Sequence, residues 1–258
     1  MIQLNNLSCG YGHKRVLSKV NLTIKRGEFT CIIGKNGIGK TTLFKSLLGL
    51  LPTIEGEILI NGRDIKSYST RELAQQISYV PQAHNTPFPL SVFDVVLMGQ
   101  FAHQQGLFSK TTRQNKRIAM ESIERLGIEN LREKNFSKLS GGQKQMVLIA
   151  RAMAQQPTFI AMDEPTANLD LGNQVKVLKT AVMLKESGYG VIMNTHSPEQ
   201  ALQYADTLIM LQDGGIAQSG APSEIIKSDV VSQLYNTPVE LVETFTSKGE
   251  SRRVLLTI

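Results

Sequence analysis

Short apolar runs rich in β-branched residues alternate along the chain with longer stretches whose apolar positions recur every three or four residues. The short runs predict strands at Val20–Lys25, Glu28–Ile33, Ile77–Val80, Phe159–Met162 and Val191–Asn194. Glu57–Ile60 reads the same way, closed by the turn pair Asn61-Gly62. Leu43, Phe44, Leu47, Leu48 and Leu51 fall at helical spacing and predict a helix over Lys40–Leu50. Further helices are expected at Ser91–Met98, Thr112–Leu126, Gly142–Ala154, Leu171–Glu186 and from about Pro198 to Tyr204. Thr207–Leu211 and Gly215–Ser219 predict a hairpin around Asp213-Gly214-Gly215. Strands alternating with helices imply an α/β domain built on a mostly parallel sheet. The segment 84–155 offers helices and no strand, and reads as a helical subdomain inserted in that core. The polar stretch Thr244–Arg253 is expected to be a surface excursion, with Val254–Ile258 a candidate final strand.

Composition adds limits. The chain has 258 residues, 28 Lys+Arg against 22 Asp+Glu for a net charge of +6, and 41% hydrophobic residues. That balance excludes a disordered chain, and 21 Gly are too few for collagen. The length suits one large domain or two small ones. Two cysteines, Cys9 and Cys31, cannot frame a disulfide scaffold; Cys31, inside Phe29–Ile33, is expected to be a buried reduced thiol, which fits the cytoplasm. The N-terminal MIQLNNLSCG lacks the features of a signal peptide, and no apolar run nears the ~20 residues of a bilayer span. The positive charge alone leaves nucleic acid, an anionic membrane surface and phosphate ligands open.

Three motifs carry chemistry. Gly34-Lys35-Asn36-Gly37-Ile38-Gly39-Lys40-Thr41 matches G-x-x-x-x-G-K-[ST] between an expected strand and an expected helix. Its glycines let backbone N–H groups converge on phosphate oxygens, the helix start adds a positive dipole end, Lys40 reaches the β- and γ-phosphates, and the Thr41 hydroxyl is a hard ligand for Mg²⁺. Gly34, Asn36, Gly37, Gly39, Lys40, Thr41 and Thr42 are therefore candidate phosphate-binding positions. The apolar run Phe159–Met162 ends in Asp163 and Glu164. Two carboxylates closing a buried strand are costly unless a cation waits there. Asp163 can hold Mg²⁺ through water, and Glu164 can polarise an attacking water. Leu139-Ser140-Gly141-Gly142-Gln143 opens a helix with Ser140 as N-cap, which in physical terms is a capped helix start or an anion nest.

Taken together these motifs resemble the ATP-binding subunits of ABC transporters, with LSGGQ as the family signature. The resemblance runs from about residue 2 to residue 240. It implies an ATPase domain over 1–240 with a P-loop NTPase core, an N-terminal antiparallel β part and the helical insertion, followed by a short tail over 241–258. It implies that Tyr11, in Cys9-Gly10-Tyr11-Gly12, stacks on adenine. Gln82, in Tyr79-Val80-Pro81-Gln82, takes the place of the Q-loop glutamine that touches Mg²⁺ and senses the membrane partner. Ala167-Asn168-Leu169-Asp170 resembles the D-loop, and His196 resembles the switch histidine near the γ-phosphate. Ser140, Gly141, Gly142 and Gln143 would face the ATP bound by a second copy in a head-to-tail dimer, with Asp170 beside them. Thr41 stands where Ser is common and keeps the hydroxyl; Asn168 and Ser197 stand where small residues and Asp are frequent.

The phrases Ser91–Gly99 and His196–Ala201 resemble importer ATPases for iron-siderophores, haem, cobalamin and related metal chelates. The implied cofactors are ATP and Mg²⁺. The implied partners are a second copy, membrane permease subunits and, indirectly, a solute-binding protein, at the cytoplasmic face of the membrane. An exporter ATPase, or an ATPase acting on ribosomes or DNA, stays open as an alternative. The basic stretch Lys110, Arg113, Lys116, Arg117 contains no aromatic residue for base stacking, so a solvated helix face is expected there rather than nucleic-acid binding.

Overall fold

The computed structural model describes residues 1–82, 89–104, 111–245, 247, 249 and 251–258. Three β-layers and a set of helices follow from the alternation above. β1 (Ile2–Tyr11), β2 (Lys14–Ile24), β4 (Thr53–Ile60) and the two-residue β5 (Arg63–Asp64) form an antiparallel sheet in the order β2-β1-β4-β5. β3 (Phe29–Ile33), β6 (Ile77–Val80), β7 (Phe159–Asp163), β8 (Gly190–Asn194), β9 (Thr207–Gln212) and β10 (Gly215–Gly220) form the second sheet, ordered β10-β9-β3-β8-β7-β6. Every pair in it is parallel except β9 with β10, the expected hairpin. β3 and β8 are buried along their whole length, as strands covered on both faces must be.

α1 (Lys40–Leu47) packs between the two sheets, its Leu43, Phe44 and Leu47 sharing a core with Ile2, Leu4 and Ile58. It ends before the expected Leu50 because the Gly49 and Leu50 N–H groups turn back onto the Ser46 and Lys45 carbonyls, at 3.0 and 2.8 Å. α2 (Thr70–Gln76) follows; its capping box, Ser69 with Glu72, is the local signal that periodicity misses over so short a helix. α3 (Val92–Leu97), α4 (Arg113–Arg125) and α5 (Gly141–Ala154) make up the segment expected to be helical, and no named strand lies among its described residues. Val92, Val96, Ile123, Phe136 and Val147 fill its core, continuous with the main one. Arg113, Lys116 and Arg117 are exposed on α4, as a solvated face should be; Lys110 lies outside the described residues.

α6 (Leu171–Glu186) and α7 (Pro198–Tyr204) match their expected bounds. α8 (Pro222–Ile225) and α9 (Ser228–Tyr235) lead to a separate hairpin of β11 (Val239–Phe245) and β12 (Ser251–Thr257). The stretch expected as a surface excursion, Thr244–Arg253, is exposed at its described strand residues, but Thr244, Phe245 and Ser251–Arg253 are paired strand, extending the strand expected at the very end. The hairpin is sewn to α9, whose Ser228 and Ser232 hydroxyls accept from the Leu241 and Val239 N–H groups at 2.8 and 2.9 Å. Polar composition hid it because half of a surface strand's side chains face water. Cys9 and Cys31 are both buried free thiols, as expected of Cys31, and burial pushes the Cys31 thiol well above the ordinary range.

Candidate functional site

Strand order brings the motifs together. β8 lies between β3 and β7, with Ile32 beside Asn194 and Asn194 beside Asp163, and Val80 of β6 pairs with Met162 of β7. The carboxyl ends of four neighbouring strands therefore release their loops at one sheet edge: the glycine loop from β3, Gln82 from β6, Asp163-Glu164 from β7 and Thr195-His196 from β8. Ligand sites in open α/β sheets form at this edge.

The glycine loop folds around its own lysine. Lys40 is 5% exposed, and its Nζ donates to the Gly34 carbonyl at 2.7 Å and the Lys35 carbonyl at 3.1 Å. Burial lowers its pKa, while Glu164 and Asp163 oppose that effect. Gly39, at φ 118°, caps α1 in a conformation that a side chain would strain, and a Cβ there would stand 2.9 Å from Leu17. Asn36, Gly37 and Thr41 face solvent, whereas Thr42 is buried at the start of α1.

The two carboxylates are held differently. Asp163 Oδ2 accepts from the Tyr79 hydroxyl at 2.9 Å and Oδ1 from the Asn194 amide. The Asp163 charge and burial push the Tyr79 phenol above its usual range, with burial the larger cause. Glu164 turns left-handed, at φ 47°, and its N–H donates to Asn194 Oδ1 at 3.0 Å. One buried amide thus ties both acids to β8. The Glu164 carboxylate pairs with His196 Nε2, and His196 Nδ1 lies 3.4 Å from Lys40 Nζ. Lys40, His196 and Glu164 form a continuous polar chain across the mouth of the loop.

Asn194 is the residue that the sequence motifs left without a role. Its signal was present: a polar residue closing a wholly apolar strand is costly to bury unless it serves partners there. Gln200 is a second such residue. Its Oε1 accepts from the Thr166 hydroxyl at 3.1 Å and the Thr195 hydroxyl at 2.9 Å, joining the loop after β7 to the loop after β8.

Tyr11 ends β1 as an exposed ring, with the Lys45 ammonium 5.5 Å from its centroid and donating to its hydroxyl at 3.3 Å. Gln82 is half-buried two residues after the end of β6. The Ser140–Gln143 segment stands apart from this cluster. Ser140 caps α5 in a reciprocal box with Gln143, the two bonds measuring 3.3 and 3.2 Å. Ser140, Gly141 and Gln143 are exposed. Gly142 is pressed against α6: a Cβ there would lie 2.3 Å from the Asn173 amide carbon, and that amide is itself held by Asp170 at 2.6 Å. Asp170 caps α6 by accepting from the Asn173 N–H, which holds its carboxyl below the usual range. The expected phosphate, carboxylate and histidine residues converge, while Ser140, Gly141 and Gln143 of LSGGQ form a separate exposed surface, with Gly142 buried behind it against Asn173.

Comparison with known proteins agrees with this arrangement. The family model for ABC transporters matches residues 17–167. An uncharacterized ABC transporter ATP-binding protein of Haemophilus influenzae is 37% identical over 242 residues, covering 94% of this chain and 92% of its own. The iron(3+)-hydroxamate import ATP-binding protein FhuC of Bacillus subtilis is 32% identical, with coverages of 93% and 90%. A solved structure described as a metal-chelate type ABC transporter in an inward-facing conformation superposes with a TM-score of 0.89 at 30% identity, covering 100% of this chain and 97% of its own. A dimeric bacterial ABC transporter cassette, MJ0796, gives 0.73 at 29% identity, with coverages of 86% and 99%. With its glycine loop, paired acids and LSGGQ segment in one fold, the chain belongs to the ABC transporter family, as one of its ATP-binding, ATP-hydrolysing subunits.

Proposed function

We propose that this subunit powers an ABC importer of an iron-siderophore, haem, cobalamin or a related metal chelate. The observation that carries the enzymatic part is the chain Lys40–His196–Glu164 at the mouth of the glycine loop. The importer part draws on the import proteins among its relatives, such as FhuC.

In this reading the backbone from Gly34 to Thr42 and the Lys40 ammonium bind the ATP phosphates, and Tyr11 stacks on adenine. Withdrawal of Lys40 from its two carbonyls offsets part of that binding, because it already has partners. Glu164 accepts a proton from, or orients, the water that attacks the γ-phosphorus; that P–O bond forms as the bond to the ADP oxygen breaks. His196 holds Glu164 in place and contacts the γ-phosphate.

Mg²⁺ fits the donor set. Thr41 offers an exposed hydroxyl and Asp163 a carboxylate, and no cluster of three acidic, histidine or cysteine groups forms a full cage among the described residues. Mg²⁺ is commonly held by one or two protein oxygens plus phosphates and water. Thr41, Gln82 and Asp163 would hold it, and it would neutralise phosphate charge.

The exposed Ser140–Gln143 edge would complete the site of a second copy, so that ATP joins two subunits head to tail. Among the described residues no helix is long and apolar enough to cross a membrane. A separate permease would supply the pore and hold the subunit at the cytoplasmic face, reached indirectly by a solute-binding protein. The same reading divides the chain into an ATPase domain over 1–240, carrying the helical subdomain of about 84–155, and a tail over 241–258.

The test is Glu164→Gln. It should still bind ATP, accumulate as an ATP-dependent dimer in gel filtration, and lose most turnover; wild-type hydrolysis would remove Glu164 from the mechanism. Co-purification with a membrane permease and uptake of a metal chelate support import. Export of substrate, or co-purifying ribosomes or DNA, would replace it.

A further inference from the structure

The loop carrying His196 is held from a direction that its own strand does not explain. The Tyr235 hydroxyl, at the end of α9, donates to the His196 main-chain carbonyl at 3.2 Å. The next residue, Asn236, accepts through Oδ1 from the Lys35 ammonium of the glycine loop at 3.1 Å. One helix end therefore touches both loops that flank the polar chain. Two residues beyond the switch loop, α7 is tied to the same C-terminal segment, because the Leu255 N–H of β12 donates to Glu199 Oε1 at 3.1 Å.

This segment is anchored firmly enough to act as a brace. Val231 and Leu234 of α9 are 3% and 2% exposed and belong to the main core. The Ser228 and Ser232 hydroxyls fasten α9 to β11, and Leu241 and Leu255 pack on the same core. Burial also raises the Tyr235 phenol to about 12, so the hydroxyl stays protonated and donating at neutral pH.

We infer that Tyr235 is a positioning residue for ATP hydrolysis: its hydroxyl fixes the peptide of His196, and the C-terminal segment thereby sets the histidine against Glu164 and Lys40. The inference rests on the proposed role of His196. Tyr235 needs no contact with nucleotide in this arrangement. Its effect should therefore appear in kcat and not in KM for ATP.

The experiment is a double-mutant cycle on the full chain with Tyr235→Phe and His196→Ala. Tyr235→Phe removes one hydrogen bond and keeps the ring, so kcat should fall about three- to tenfold with KM for ATP unchanged. In the His196→Ala background the same change should have no further effect. Wild-type kcat in Tyr235→Phe, or an equal further loss in the His196→Ala background, overturns the inference while leaving the role of His196 intact. Wild-type turnover in His196→Ala overturns the reading beneath it instead. Tyr235→Met, which keeps apolar volume without the hydroxyl, serves if the phenylalanine variant does not fold, with the same outcomes.

Discussion

Replacing Asn194 with alanine tests whether one buried amide holds both acids. Asn194 is fully buried at the end of β8, donates to Asp163 and accepts from the Glu164 N–H at 3.0 Å. A hydrogen bond to a charged group contributes about 1.5–3 kcal/mol, and the neutral one to the half-buried Glu164 N–H about 0.5–1.5 kcal/mol. The change should thus cost about 2–4.5 kcal/mol, a sizeable part of the ~5–15 kcal/mol that keeps a domain folded. With an m-value of ~3 kcal/mol per molar urea, the midpoint should drop by about 1 M. Turnover should fall further than stability explains. The left-handed backbone of Glu164 costs about 1–2 kcal/mol, and its bond to Asn194 helps offset that cost. Released, Glu164 can relax to the extended geometry favoured before Pro165 and take its carboxylate away from His196. Urea unfolding followed by circular dichroism reads the first effect, and steady-state phosphate release reads the second, with kcat expected to fall at least about tenfold. An unfolding midpoint equal to wild type would show that Asn194 is not the tie described.

Three further outcomes are expected. Lys40→Ala should weaken ATP binding in a direct titration. In the wild type, affinity should decline as pH rises through a value below the ordinary lysine 10.5, since burial lowers the Lys40 pKa and phosphate binding needs its charge; a pH-independent affinity up to 10.5 would contradict this. Gly142→Ala should force the Asn173 amide off Asp170, because the new Cβ would otherwise overlap it. ATP binding by the separate subunit should persist while ATP-driven dimerisation and turnover fall; a wild-type dimerisation profile would refute the assignment of this surface to the partner's site.

The phosphate loop, the acidic strand end and the bounds of α6 and α7 were legible because each is a local signal. Glycine spacing, a strand closing in Asp163-Glu164, and helical periodicity all act over a few residues. The LSGGQ serine looked like an ordinary cap, and within one chain that is how Ser140 is bonded. Its proposed ligand belongs to another copy, so neither sequence physics nor a single fold places one there. α2, β11 and the first residues of β12 were missed for different reasons. α2 opens on a capping box and buries Leu73 alone, so it shows no period, whereas the equally short α7 is announced by Pro198 in its first turn; the hairpin's charged outer positions mask its alternation.

By itself the sequence determined the chemical parts: a loop shaped for phosphates, two carboxylates at a strand end, and a histidine after another strand. Only the tertiary structure decided that β8 lies between β3 and β7, which sets His196 between Lys40 and Glu164 and makes Asn194 the tie for both acids. It alone carried Tyr235 across 39 residues of chain to the carbonyl of His196. The physical reason is the range of the forces. Propensity, capping and glycine geometry act between neighbours in the chain. Strand order is fixed by burial of apolar surface among segments far apart in sequence, and that burial chose which polar groups would meet.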